Sequence, residues 1–313
     1  MSAARSARVR AFAKINLDLR VLGKRPDGYH ELRTVFQTIS LADTLDIAFT
    51  PARRTSVGVA GNVEIADNIV VRAARLALEA MRRSGAVEIG LKKVVPMGAG
   101  LGGGSSDAAA VLLALPVLAG RPLPLATLAG IAGELGSDVT FFLHGGRAAG
   151  IGRGTELFPL SDLPSASGVL AAPAIHVSTA AAYRSLGPHL TSESEQNKMV
   201  SFQTLVWGGL QGSRAANDFE TAVFEQYPSL ASLKRRLKRM GADPALMTGS
   251  GSAVFGFFRT RDEAARAIKF LKDERVFLIT LVGRSRYRSL WRRWLRAHSN
   301  DDRIWPPQSR YVR

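Results

Sequence analysis

Five glycines fall within seven residues at Gly98-Ala-Gly100-Leu101-Gly102-Gly103-Gly104, followed by Ser105, Ser106 and Asp107 and preceded by Pro96. Without a Cβ, such a run lets the backbone approach a ligand closely and turns several N–H groups inward. A helix starting just after it adds partial positive charge, so phosphate is the natural ligand. The stretch formally contains GxGxxG. It lacks both the acidic residue about 20 positions on that a dinucleotide fold needs and the Gly-Lys-[Ser/Thr] of a Walker loop. The bland alternative is a flexible loop capped by Ser105 or Ser106. Five glycines cost too much chain entropy for a mere linker, which favours phosphate.

Lys14 and Asn16 sit two apart in an alternating segment and therefore share one strand face. Taken alone, Lys14 reads as a solvated lysine. Asp138, in Gly136-Ser-Asp-Val-Thr-Phe-Phe-Leu143, has two compatible readings. It can be a helix N-cap or turn aspartate, or a carboxylate at the mouth of an apolar segment, placed to take a hydroxyl proton. Tyr29 and His30 follow a turn and offer a stacking face and a hydrogen-bonding edge, as nucleobase sites require. A second glycine cluster, Met247-Thr-Gly-Ser-Gly-Ser-Ala-Val254, reads equally as a hairpin turn or as a second backbone wall around phosphates.

These residues need elements to hold them. From Val9 to Val21 every odd position is apolar, which predicts a half-buried strand with Lys14 and Asn16 on its other face. Gly23-Lys-Arg-Pro-Asp-Gly28 predicts a turn. Extended segments follow at 32–40 and 44–50, a helix at 69–83 and a strand at 87–95. After the glycine run comes a helix at 108–119, which Pro116 should kink or end. A further helix covers 124–135, with Gly136 beyond its end. The Ser/Pro-rich stretch 161–168 marks a domain boundary near residue 165. Beyond it, helices at 217–226, 229–240 and 262–273 alternate with strands at 245–258 and 275–282, an α+β pattern. Residues 191–214 read as loop-rich, and there is no internal repeat.

The chain has 313 residues, of which 46% are hydrophobic and 22% charged, so it is globular and long enough for about two domains. No cysteine is present, which excludes disulfides, thiolate metal sites and cysteine nucleophiles. The five histidines are scattered, and no metal ligands are assigned. No apolar run reaches the roughly 18 residues of a membrane span, and a cytoplasmic location is expected. Forty-two basic against 26 acidic residues give +16, which alone suggests a polyanion partner. Residues 284–313, with nine Arg and two Asp, carry +7 of it, and residues 1–10 carry +3. The body between them is only modestly basic, so no nucleic-acid partner is expected.

Pro96-Met-Gly-Ala-Gly-Leu-Gly-Gly-Gly-Ser-Ser-Asp-Ala-Ala109 and Met247-Thr-Gly-Ser-Gly-Ser-Ala-Val-Phe255 together resemble two motifs of the GHMP kinase superfamily. Residues 13–32, Ala-Lys-Ile-Asn through Pro-Asp-Gly-Tyr-His-Glu-Leu, are more specific. They resemble the branch of that superfamily that phosphorylates 4-diphosphocytidyl-2-C-methyl-D-erythritol in non-mevalonate isoprenoid synthesis. Asn68-Ile-Val-Val-Arg, Gly152-Arg-Gly154 and Asn217-Asp-Phe-Glu220 match in order, and the resemblance covers roughly residues 8–283. It implies an α+β, two-domain fold, with a ribosomal-protein-S5-like half at 1–165 and a ferredoxin-like half at 166–283. It also implies transfer of the ATP γ-phosphoryl group to the 2-hydroxyl, with Mg2+. Asp138 then matches the family's proton acceptor and Lys14 its partner. Asn16, Tyr29, His30 and Tyr183 match the substrate site. Pro96, Gly98, Gly100–Gly104, Ser105 and Ser106 match the ATP phosphate cradle, and Asn68 falls near adenine. A homoserine-kinase-like activity is the nearest alternative, and a polyanion- or membrane-binding protein with a degenerate kinase body is a more distant one.

Residues 284–313 lie outside that pattern. Tyr287, Leu290, Trp291, Trp294 and Leu295 make one apolar helical stripe among arginines. The stripe is expected to pack on the C-terminal domain; contact with an anionic membrane or a partner is the alternative. Residues beyond 297 are expected to be poorly ordered.

Overall fold

The computed structural model describes residues 4–186, 202–206 and 215–299. Most of the loop-rich expectation for 191–214, and residues 300–313 of the tail, lie outside them.

Two antiparallel hairpin strands dominate the first half, β1 (Arg5–Lys24) and β2 (His30–Pro51). Then come β3 (Ser56–Gly61), α1 (Ile69–Ala80), β4 (Gly85–Lys92), α2 (Gly103–Leu118), α3 (Leu125–Leu135), α4 (Ser137–His144), β5 (Arg147–Gly152) and β6 (Glu156–Pro159). One sheet runs β3-β4-β2-β5-β6, with β1 also paired to β2. The second half holds β7 (Ser167–Ala171), α5 (Thr179–Ser185), α6 (Phe219–Gln226), α7 (Pro228–Arg239), β8 (Ala245–Met247), β9 (Val254–Phe258), α8 (Arg261–Lys269) and β10 (Val276–Thr280). Its sheet runs β10-β7-β9-β8. The last described element is α9 (Arg284–Leu295).

Burial explains the layers. α1 buries Val70, Ala73, Ala74, Ala77 and Leu78, one apolar stripe at helical spacing. α2 is buried on every side from Ser106 to Leu118, so it forms the centre of the first core. One face of the second sheet packs Val169, Val254 and Phe258 against Leu233 and Leu237 of α7 and Ala264 of α8. Its other face, with Leu170, Phe255 and Ile279, meets Ala13, Ile15, Val35 and Ile39 of the first hairpin. The Val282 amide donates to the Thr38 carbonyl at 2.9 Å, and a bridge pairs Ile39 with Leu281. The hairpin β1–β2 therefore lies between the two halves.

That position corrects the half-buried reading of the first strand. Lys14, Asn16, Asp18 and Arg20 are buried as well: the glycine run and α4 cover Lys14, while Thr248, Ala216 and Asp218 of the second half meet Asn16, Asp18 and Arg20. The segments 32–40 and 44–50 are one strand, β2. The stretch 245–258 divides into β8 and β9 around the second glycine cluster. α2 starts five residues before its expected beginning, with the glycines as its first turn. Pro116 does not end it; the helix runs to Leu118, since proline removes one amide donor only two residues before the end.

Candidate functional site

The first glycine run folds into a tight loop that delivers the N-terminus of α2. Gly98, Gly100 and Gly102 all have positive φ, and Gly102, at φ 67°, is the N-cap. The first amides of a helix have no helical acceptors. Here they belong to Gly103, Gly104 and Ser105, and no side chain caps them. The loop packs backbone to backbone on the turn between β8 and β9. A Cβ on Gly100 would fall 2.2 Å from the Thr248 carbonyl oxygen, and the Ala253 amide donates to the Ala99 carbonyl at 3.3 Å. The second glycine cluster is a hairpin turn between β8 and β9, and its backbone lies against the first loop.

Not every residue of the run faces outward. Leu101 turns its side chain into the core, and its carbonyl accepts the Lys14 amide at 3.0 Å. The Ser106 hydroxyl donates to the Phe12 carbonyl at 2.7 Å and is buried, so it ties α2 to β1 instead of capping the helix. Gly98 and Gly104 are exposed, and Pro96, Gly100, Gly102, Gly103 and Ser105 half-buried.

Lys14 stands directly behind this loop. A Cβ on Gly102 would meet its Cγ at 3.2 Å and the Phe142 ring at 2.9 Å. The Lys14 Nζ donates to Asn16 Oδ1 at 2.8 Å and lies 3.5 Å from the Asp138 carboxylate. Gly136 is the N-cap of α4, so Asp138 sits in the first turn and is not the cap. There the helix N-terminus favours its negative charge. The Lys14 side chain is 5% exposed and that of Asp138 29%, so the pair has one buried and one accessible member. Asn16 is fixed from three sides. Its Nδ2 donates to Thr34 Oγ1 at 2.7 Å, its Oδ1 accepts from Lys14, and its amide donates to Thr248 Oγ1 at 3.0 Å.

Beside α4 opens a cavity of about 840 Å3, lined by Lys24, Tyr29, His30, Ser137, Arg153 and Tyr183 among others. His30 and Tyr183 stack at 4.7 Å and 23°. Tyr29 is exposed and carries the Arg153 guanidinium over its ring at 3.5 Å. Burial, helped by the Asp138 charge, pushes the Tyr183 hydroxyl up to about 12, so it stays protonated. Burial, and then Lys24, lowers the His30 imidazole from its ordinary value, so it is neutral at pH 7. Asn68 lies elsewhere, as N-cap of α1, where its Oδ1 accepts from the Val70 amide at 3.2 Å. It borders a second cavity of about 840 Å3 with Val63, Ile65 and Arg72. A Cβ on Gly104 would meet Ile69 at 3.9 Å, so the start of α1 adjoins the glycine loop.

Three residues escaped the sequence reading. Arg153 lay inside the recognised Gly152-Arg-Gly154 motif but had no assigned role. Thr248 lay inside a recognised motif but had no assigned role. Lys93 had none. Its Nζ pairs with Asp43 at 2.5 Å and Asp107 at 2.7 Å beneath Gly103. Two carboxylates share one ammonium there. Burial, opposed by Lys93 and reinforced by Asp43, pushes Asp107 up to about 7. Among the described residues no group of three acidic or histidine side chains could hold a metal ion, and no helix is long and apolar enough to cross a membrane.

The tail is placed otherwise than expected. α9 packs its stripe on the first half: Tyr287, Trp291 and Leu295 share one core with Phe12, Phe142 and Leu143. Phe12 and the glycine pair after α4 leave an apolar notch there, and none of these tail residues joins the second half's core. With the stripe buried, it is not an open face for a membrane.

Known proteins resemble this chain throughout. Residues 68–146 match the GHMP kinases N-terminal domain, and residues 207–275 match the GHMP kinases C-terminal model. A 4-diphosphocytidyl-2-C-methyl-D-erythritol kinase of Solibacter usitatus is 61% identical over 315 residues, covering 99% of each chain. A crystal structure of 4-(cytidine 5'-diphospho)-2C-methyl-D-erythritol kinase superposes with a TM-score of 0.76 at 39% identity, covering 88% of this chain and 99% of that one. Homoserine kinase from Cytophaga hutchinsonii shares the fold, with a TM-score of 0.68 at 18% identity over 90% of this chain and 99% of its own.

Proposed function

Because the chain belongs to the GHMP kinases, and within them to the 4-diphosphocytidyl-2-C-methyl-D-erythritol kinases, we propose a division of labour among its residues for that reaction. The reaction is ATP-dependent phosphorylation of the substrate's 2-hydroxyl group, a step of isoprenoid biosynthesis. The observation that carries the division is the 3.5 Å Lys14–Asp138 pair, flanked by a glycine cradle and an aromatic cavity.

The unpaired amides of Gly103, Gly104 and Ser105, with the positive end of α2, suit the ATP phosphates. The cavity at Asn68, Val63 and Ile65 suits adenine. On the other side, cytosine stacks in the Tyr29–His30–Tyr183 cavity, and Lys24 and Arg153 meet the diphosphate. The acceptor hydroxyl then lies at Asp138. Its carboxylate takes the hydroxyl proton as the oxygen attacks the γ-phosphorus. Lys14 sets the direction of that carboxylate, and Asn16 holds Lys14. Magnesium takes few protein ligands and prefers phosphate oxygens and water. It would enter with ATP and neutralise the triphosphate, with Asp138 the acidic side chain the cleft offers it. The lack of a protein metal cage among the described residues suits that arrangement. We place the reaction in the cytoplasm, where ATP is available.

The homoserine-kinase alternative is not favoured. That likeness stands at 18% identity and carries the fold alone, and an amino alcohol has no use for three aromatic rings around one cavity. Purified protein with ATP, Mg2+ and either substrate tests the reading. Turnover of the cytidyl substrate and none of homoserine is expected; the reverse overturns it.

A further inference from the structure

Helix α9 lies against both elements that carry the reacting pair. Tyr287 is buried, with its ring 5.9 Å from Phe12 in β1. Its hydroxyl donates to the Phe142 carbonyl of α4 at 2.5 Å. Trp294 stacks on the same Phe12 at 6.1 Å and 25°. Phe12 lies two residues before Lys14, and Phe142 one helical turn after Asp138.

The surface that receives α9 is shaped for it. A Cβ on Gly145 would fall 2.5 Å from the Tyr287 ring, and one on Gly146 would fall 2.6 Å from Arg284 Cβ. The Arg284 guanidinium donates to the Leu160 and Arg147 carbonyls, while the Arg284 and Ser285 amides donate to the Asp162 carboxylate at 2.6 and 3.2 Å. Just past the helix, the His298 carbonyl accepts from Arg5 at 2.7 Å. The segment is thus fastened at both ends as well as along its face.

α4 needs such support. It has eight residues, too few to be stable alone, and no side-chain cap at its N-terminus. The last carbonyls of a helix lack helical donors, and Tyr287 supplies a donor to one of them. We propose that α9 is a positioning strap for the Lys14–Asp138 pair, with Tyr287 as the residue through which it acts. The proposal rests on the role assigned to that pair above. Tyr287 touches no reacting atom; it fixes the backbone on which both side chains stand. A shift of about 1 Å in such a pair costs roughly a hundredfold in rate, with little effect on ground-state binding made elsewhere.

The test uses the full chain. Tyr287→Ala should lower kcat about tenfold or more, with KM for ATP and for the cytidyl substrate changed by less than about threefold. Tyr287→Phe, which keeps the ring, should show the same split to a smaller degree. Arg292→Ala, on the exposed side of α9, should leave both constants unchanged. A folded Tyr287→Ala enzyme with kcat within about twofold of the parent overturns the proposal; if that variant fails to fold, Tyr287→Phe decides by the same criterion. In an Asp138→Asn background, Tyr287→Ala should cost no further kcat, and an additive loss overturns the proposal. An Asp138→Asn enzyme of near-normal rate instead overturns the role of the pair, so the two failures are distinguishable.

Discussion

Asp138 has one accessible carboxylate with a buried ammonium behind it. Replacing it with Asn keeps the shape and removes the proposed proton acceptor. Asp138→Asn should lower kcat by about 10²- to 10⁴-fold with an unchanged circular dichroism spectrum; steady-state kinetics check this. Tyr183→Ala removes the ring that stacks on His30, one of the three in the proposed cytosine site. It should raise KM for the cytidyl substrate by about tenfold or more and leave KM for ATP alone, since a stacked base is worth about 1–3 kcal/mol. At this scale the sequence was partly legible. Lys14 and Asn16 share a face by strand period alone, whereas the cap reading of Asp138 fell only when Gly136 proved to be the cap. The Lys93–Asp43–Asp107 cluster joins residues up to 64 positions apart, and no local pattern encodes such a meeting.

Among the elements, the two glycine turns are the clearest case of one conformation requiring another. Gly100, at φ 77°, lies against the Thr248 carbonyl with no room for a methyl group. Gly100→Ala should cost about 1–3 kcal/mol of stability through backbone strain and the clash. It should also raise KM for ATP, because the cradle amides move with the loop. Denaturant melts and ATP titrations read the two effects separately. The glycine density announced this loop, and alternation announced β1. What stayed hidden was the second cover on β1: alternation separates an apolar face from a polar one and does not show that the polar face is buried too. The start of α2 was hidden for a related reason. Glycine disfavours a helix locally, and the packing of α2 against β1 and the Ser106–Phe12 bond override that preference.

For the molecule as a whole, pH acts on the fastening of α9. His144, at the end of α4, is held down to about 4 by burial, and then by Arg284 and Arg288. Above pH 6.5 it is neutral in both folded and unfolded chains. As pH falls from 6.5 towards 4, the unfolded chain takes up a proton that the folded one refuses, so stability is lost, by up to about 3 kcal/mol. Asp18, raised to about 6 chiefly by burial, acts with the opposite sign: stability is lost as pH rises from 3.8 through 6. The difference between parent and His144→Asn isolates the histidine. Urea midpoints measured from pH 7 to pH 4 should fall more steeply for the parent; parallel curves contradict this. The net charge of +16 also reads differently at this scale. Part of the terminal basicity is structural, since Arg284 and Arg5 bond carbonyls of the body and the tail.

The notch that receives Tyr287 has a consequence in time. Among the described elements β1 is synthesised first and α9 last. Both glycine turns, both halves of the core and the Lys14–Asp138 pair exist as polypeptide before the strap does. Until then the Phe142 carbonyl has no tyrosine donor, and Phe12 lacks the Tyr287 and Trp294 rings that cover it; incompletely covered apolar surface makes a growing chain prone to aggregate. Among the described elements, the last helix synthesised thus closes the surface beside the first strand.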